Sequence, residues 1–197
     1  VEYTVPVNNP VNDVQEIGSD ILFTGDFGSY GAGPCSPILA INTASNGTAA
    51  GFGGYANTGN ENMAYLNGEW FLINNYVQGR IMSSTGGNWN EAYGGFNNYC
   101  TDMTMFNGNL YVAGYMSKNS NGLVSRNYVN KFSFNSWYPF SANNLPGPCF
   151  DLEVHDGRLY ALGSNYIYCH DPNDNKWKSA IEPSLIELNN ATMFKFL

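Results

Sequence analysis

The sequence predicts an all-β fold, and three observations carry that expectation. Four two-residue turn signals, Gly18-Ser19, Asn67-Gly68, Asn107-Gly108 and Asp156-Gly157, each separate a short alternating run from a second run of aromatic or aliphatic residues. Asn-Gly and Asp-Gly are strong hairpin markers, because both central residues of the favoured two-residue turn take positive φ. The composition agrees: 15% of residues are aromatic and only 12% charged, with 22 glycines. Glycine and asparagine suit turns, while tyrosine, phenylalanine and tryptophan suit a pleated, half-buried surface. Finally, the hairpin recurs, opening at Asp13, Asn62, Asp102 and Asp151, at intervals of 49, 40 and 49 residues.

Each hairpin is followed by a second pair of runs. They are "PILAINTASNGTAAGFGG" in the first unit, "GRIMSSTGGNWNEAYGG" in the second, "NYVNKFSFNSWYPFS" in the third and "NYIYCHDPNDNKWKSAI" in the fourth. Three of the four place a tryptophan just after the turn: Trp89, Trp137 and Trp177. Four short strands at a period of this size correspond to one β-propeller blade. The expectation is therefore one domain over 1–197, a β-propeller of about four to five four-stranded blades. Its units are 13–61, 62–101, 102–150 and 151–189, with terminal segments 1–12 and 190–197 as closing strands, since an unpaired sheet edge invites aggregation.

The fourth unit, "LYALGSNYIYCHDPNDNKWKSA", resembles a kelch-type repeat, and the third, "LYVAGYMSKNSNGLVSRNYVNKFSFNSWYPF", is similar in layout. The first, "ILFTGDFGSYGAGPCSPILAIN", resembles the "GGDF" propeller repeats of secreted bacterial and phage proteins. Where kelch repeats carry a Gly-Gly doublet, this chain has Ala113-Gly114 and Leu162-Gly163. The resemblance implies a propeller, and it implies that Cys35 could pair with Cys169, as in small four-bladed propellers closed by a disulfide. Cys100 and Cys149 hold equivalent places on successive units, too far apart for a bond that needs Cα atoms within about 7 Å. Four cysteines allow three connectivities, and the spacing does not choose among them.

Composition also excludes functions. The net charge is −8 with eight Lys and Arg scattered singly, so no basic stripe for a nucleic-acid backbone exists. No run of about 18 apolar residues would insert in a membrane. The chain begins at Val1 with no basic-then-apolar leader, as expected of a processed form or a fragment. An even cysteine count in a Lys-poor chain points to an oxidising setting, extracellular, at the cell surface or on a virion. Four buried free thiols are the competing reading.

No catalytic constellation is nominated. The "HDPNDN" turn has oxygens suited to calcium, but other units replace it with "SFNS" and "NTASNG", so its residues read as turn formers. His155 and His170 stand alone, without a nucleophile motif. "SSTGGNW" resembles a sialidase Asp box without its Asp, and only three arginines, Arg80, Arg126 and Arg158, are present. Glu69, Glu91, Asp26 and Asp102 offer carboxylates, but no spacing marks a facing pair. The recurring tryptophans read as packing between sheets. Tyrosines outside the repeat, Tyr30, Tyr76, Tyr93, Tyr99 and Tyr115, are the binding candidates, because connecting loops carry function. The long segments "GDFGSYGAGPC" and "YMSKNSNGLVSRN" are expected to project from one face as the binding surface.

The expected function is a non-catalytic binding or attachment module whose partner is a glycan or protein receptor. The alternatives are a propeller-type glycan hydrolase or lyase, and a structural or oligomerising domain contacting other subunits of an assembly. No cofactor or metal is called for; calcium stays open, since backbone carbonyls that hold it leave no mark in a sequence.

Overall fold

A computed structural model of the protein describes residues 7–17, 19–30, 33–34, 38–42, 48–51, 60–75, 79–85, 88–118 and 128–180. The expected terminal strands fall largely outside this set, as do Cys35 and Tyr76. The described residues form strands and turns without a helix, and so contain no helix long and apolar enough to cross a membrane.

Four antiparallel sheets of four strands each follow one another along the chain, every one a simple meander. The first contains β1 (Val11–Ile17), β2 (Asp20–Gly25), β5 (Ile38–Asn42) and β6 (Thr48–Gly51). The second contains β7 (Asn60–Leu66), β8 (Glu69–Asn74), β9 (Arg80–Ser84) and β10 (Asn90–Glu91). The third is β11 (Cys100–Phe106), β12 (Asn109–Gly114), β13 (Val129–Ser133) and β14 (Ser136–Pro139). The fourth is β15 (Asp151–His155), β16 (Arg158–Gly163), β17 (Tyr166–Asp171) and β18 (Lys176–Ser179). The connection after β2, expected as loop throughout, contains a small ladder of β3 (Ser29–Tyr30) with β4 (Gly33–Pro34).

The hairpin chemistry is as the turn residues require. Asn67 and Gly68 have φ of 51° and 89°, Asn107 and Gly108 48° and 68°, and Asp156 and Gly157 47° and 68°. These are left-handed pairs, matched to the twist of the flanking strands. The third sheet has one more such turn, between β13 and β14, where Phe134 and Asn135 take φ of 48° and 56°.

Each sheet buries a face against the next. Leu22 and Ile38 of the first sheet pack with Met63, Leu72 and Trp89 of the second. Phe71 and Ile73 of the second pack with Met103, Leu110, Val112 and Trp137 of the third. Tyr111, Ala113 and Val129 of the third meet Leu152, Leu159, Ala161 and Trp177 of the fourth. The period-2 alternation of a strand explains how β8 and β12 serve both neighbours: Phe71 and Ile73 point one way, Leu72 the other. Each late tryptophan therefore packs onto the preceding sheet, and Trp137 lies against the rings of Phe71, Phe96 and Phe132 at centroid distances of 6.5, 5.4 and 5.0 Å.

The first strands also pack in series, β1 on β7, β7 on β11 and β11 on β15. Among the described residues no comparable packing returns from β15 to β1.

Candidate functional site

Side chains that open each unit link the sheets. Asp13 accepts the Met63 N–H through Oδ2 at 2.9 Å, and Asp102 accepts the Leu152 N–H through Oδ2 at 2.7 Å. At the same place in the second unit stands Asn62, whose Nδ2 donates to Asp102 Oδ1 at 2.8 Å. Asp102 is buried, and its carboxyl is raised to about 7 by burial first and by the adjacent Asp151 carboxyl second, against the lowering effect of the Leu152 and Met103 N–H groups. The buried Cys149 thiol is pushed well up by desolvation and by the same two carboxyls, and its Sγ donates to the Asp151 carbonyl at 3.3 Å. A carboxyl so enclosed, with both oxygens bonded to protein, holds sheets together and is not presented to a substrate.

The hairpin turns lie at one end of the sheets; the opposite end, where first strands begin and second strands finish, carries the long connections. Its backbone is tightly fastened. Asn97 accepts the Ser117 and Lys118 N–H groups through Oδ1 at 3.0 and 2.9 Å, and its Nδ2 donates to Ser117 Oγ at 3.0 Å. The Tyr115 N–H donates to the Tyr99 carbonyl at 2.9 Å. Asn75 and Thr101 extend the fastening to the neighbouring sheets, donating to the carbonyls of Cys100 at 2.7 Å and Cys149 at 2.8 Å. Gly114 allows the chains to touch here, since a Cβ at that position would collide with the Tyr99 carbonyl oxygen.

On this platform Tyr99 and Tyr115 are 45% and 42% exposed. Phe150 flanks Tyr115 at 5.7 Å between ring centroids, and Lys118 is exposed beside them. The structure thus brings two of the five candidate tyrosines together. Tyr93 goes elsewhere: half-buried, it packs on Phe132 at 4.7 Å and Phe71 at 6.2 Å, and its hydroxyl donates to Glu69 at 3.2 Å. Burial, with Glu69's charge added, raises its phenol pKa. Tyr30 lies in β3, and Tyr76 lies outside the described residues.

The other candidates are accounted for by packing and turn chemistry. His170 is buried between Phe140 at 4.3 Å and Trp177 at 5.5 Å, with Nε2 at 3.0 Å from Asn175 Oδ1. In the acidic turn, Asp171 Oδ1 accepts the Asn173 N–H, while Lys178 Nζ sits 2.5 Å from Asp171 and 3.3 Å from Asp174. That lysine supplies the positive charge a cation would bring, and it lowers the Asp171 pKa. Among the described residues no group of three His, Cys, Asp or Glu could hold a metal. Among the described residues Cys100, Cys149 and Cys169 form no disulfide, and Cys35, the expected partner of Cys169, lies outside them.

Cavities also open on the sheets among the described residues. One of about 430 Å³ crosses the first strands beside Gln15, Tyr65, Met103 and Thr104, and its lining holds a single carboxylate, Glu16. Another, about 520 Å³, lies on the fourth sheet over Arg158, Tyr160, Cys169 and Lys178.

No family model matches the chain, and no curated protein matches it. Among solved structures the chain is similar to the computationally designed Ika8 protein, with a TM-score of 0.55 and 10% identity over 85% of this chain and 47% of that one. The chain thus spans about half the length of the structure it matches, and at this identity the likeness concerns the fold alone.

Proposed function

We propose that the four sheets are consecutive blades of a β-propeller, and that the protein is a non-catalytic binding module engaging a receptor at the connector end, around Tyr99 and Tyr115. The setting that suits it is extracellular, at a cell surface or on a virion. The observation that carries the reading is the pairing of two exposed tyrosines on a backbone fixed by Asn97. Amphipathic rings held on a rigid support lose little conformational freedom on binding. The enzyme alternative finds no support in the carboxylates: Asp102 is buried with both oxygens bonded to protein, and Glu16 is the one carboxylate lining the groove over the first strands. A role within a larger assembly is a second reading.

The test is binding to receptor-bearing cells and to immobilised glycan and protein panels, with Tyr99→Ala/Tyr115→Ala alongside the parent. Loss of binding with an unchanged melting curve supports the reading. Retained binding, or release of cleaved product, would overturn it.

A further inference from the structure

Two stretches of the chain, 8–63 and 97–152, repeat one another at a spacing of 89 residues, and the correspondence is atomic. Asn8 Oδ1 accepts the N–H groups of Gly28 and Ser29, 20 and 21 residues on. Asn97 Oδ1 accepts those of Ser117 and Lys118, again 20 and 21 residues on. The Asp26 N–H donates to the Pro10 carbonyl as the Tyr115 N–H donates to the Tyr99 carbonyl. A Cβ at Gly25 would strike the Pro10 oxygen, as one at Gly114 would strike that of Tyr99. The register shift between Val11 and Asp13 recurs between Cys100 and Asp102. Asp13 reaches Met63 and Asp102 reaches Leu152, both across 50 residues. Phe27 and Met116, at matching places, are both fully buried. The chain is thus a tandem pair of two-sheet units sharing one scaffold.

What differs is the exposed surface built on that scaffold. Tyr99 stands where the first copy has Pro10, Tyr115 where it has Asp26, and Lys118 where it has Ser29. Since the fold forms the same hydrogen bonds with either set, it does not demand the rings. At this end of the second copy, the exposed large hydrophobic residues among those described are tyrosines, with no aliphatic residue beside them. Rings with polar tips, set among asparagine, serine and lysine, suit the alternating apolar faces and hydroxyls of a sugar better than the continuous apolar core of a protein interface.

We propose that the second copy carries one oligosaccharide-binding site, formed by Tyr99 and Tyr115, and that the first copy, with Pro10 and Asp26 at the matching positions, is its non-binding counterpart. The inference rests on the reading of this end as the receptor-binding surface, and it adds the ligand class and the stoichiometry.

The experiment is calorimetric titration with chitohexaose, cellohexaose and 3′-sialyllactose on three proteins: the parent, Tyr99→Ala/Tyr115→Ala, and Pro10→Tyr/Asp26→Tyr. Circular dichroism melting checks that each is folded. The parent should bind at least one probe at one site per chain. The alanine pair should weaken that binding by at least about tenfold. The tyrosine graft should raise the stoichiometry to two. If no probe binds the parent, or the parent already binds two, the inference is wrong. A graft that folds but stays at one site overturns the account of the first copy while leaving the binding surface in place. Unaltered binding by the alanine pair overturns the surface itself. Should the graft fail to fold, grafting each residue singly, with a weaker second site expected, decides the same point.

Discussion

The Leu152 N–H donates to Asp102 Oδ2 across the junction of the third and fourth sheets at 2.7 Å, with the Asp151 carboxyl beside it. Burial and Asp151 raise the Asp102 pKa from 3.8 to about 7, so the folded protein prefers this carboxyl neutral. A raised carboxyl stabilises the fold fully below its ordinary value, and the contribution is lost as pH rises through the folded value. Unfolding free energy should fall from about pH 4 to 7, by up to about 1 kcal/mol per pH unit from this group. Asp102→Asn, which keeps an acceptor for Leu152 but cannot titrate, should flatten that dependence in urea titrations at several pH values. An equally steep curve in the variant would place the pH sensitivity elsewhere.

Gly114 and Gly108 separate two reasons for glycine in one hairpin. Gly108 sits at φ 68° with open space around it, so Gly108→Ala should cost about 1 kcal/mol. Gly114→Ala would drive its methyl into the Tyr99 carbonyl and should cost about 2 kcal/mol or more. It should also displace Tyr99 against Tyr115. Denaturation midpoints give the order of the two costs, and reduced receptor binding should accompany the Gly114 change alone.

Trp137 is 1% exposed among Phe71, Phe96 and Phe132. Trp137→Ala should cost about 3–5 kcal/mol, a large part of what a domain of this size holds in reserve. Trp137→Phe should recover part of it. Thermal unfolding followed by near-ultraviolet circular dichroism reads both.

Phe134 is 94% exposed at φ 48°, a left-handed conformation that a bulky side chain adopts only under strain. Phe134→Asn should therefore stabilise the isolated protein by about 0.5–1 kcal/mol, measured by chemical denaturation. A loss of stability would show that the ring makes contacts which the exposed turn does not reveal.

Much of the sheet structure was legible because its signals are local. Asn67-Gly68, Asn107-Gly108 and Asp156-Gly157 each declare a turn in two residues, and the tryptophan spacing marks the outer strands. The contacts between sheets were not legible in that way. Asp102 meets Leu152 across half a hundred residues, and a lone Asp opening a strand has no local signature. "NNPVND" and "NNYCTD" are visibly akin, but the role of Asn8 and Asn97 is not local, because the partners of each clamp lie about twenty residues downstream. Tyr93 read as a loop tyrosine, yet its positive φ of 52° turns it back over Phe71 and Phe132. Tyr99 and Tyr115 are far apart in the sequence, which gives no sign of the backbone bond that joins the two positions.

The clasp between sheets has one further property. Asp13 and Asp102 each hold the next sheet by a main-chain amide, a group every residue except proline possesses. The receiving strand therefore needs no matched side chain, and Met63 and Leu152 are accepted alike. The clasp alone thus tolerates any residue but proline at the receiving position, and the match between neighbouring sheets is left to their buried faces.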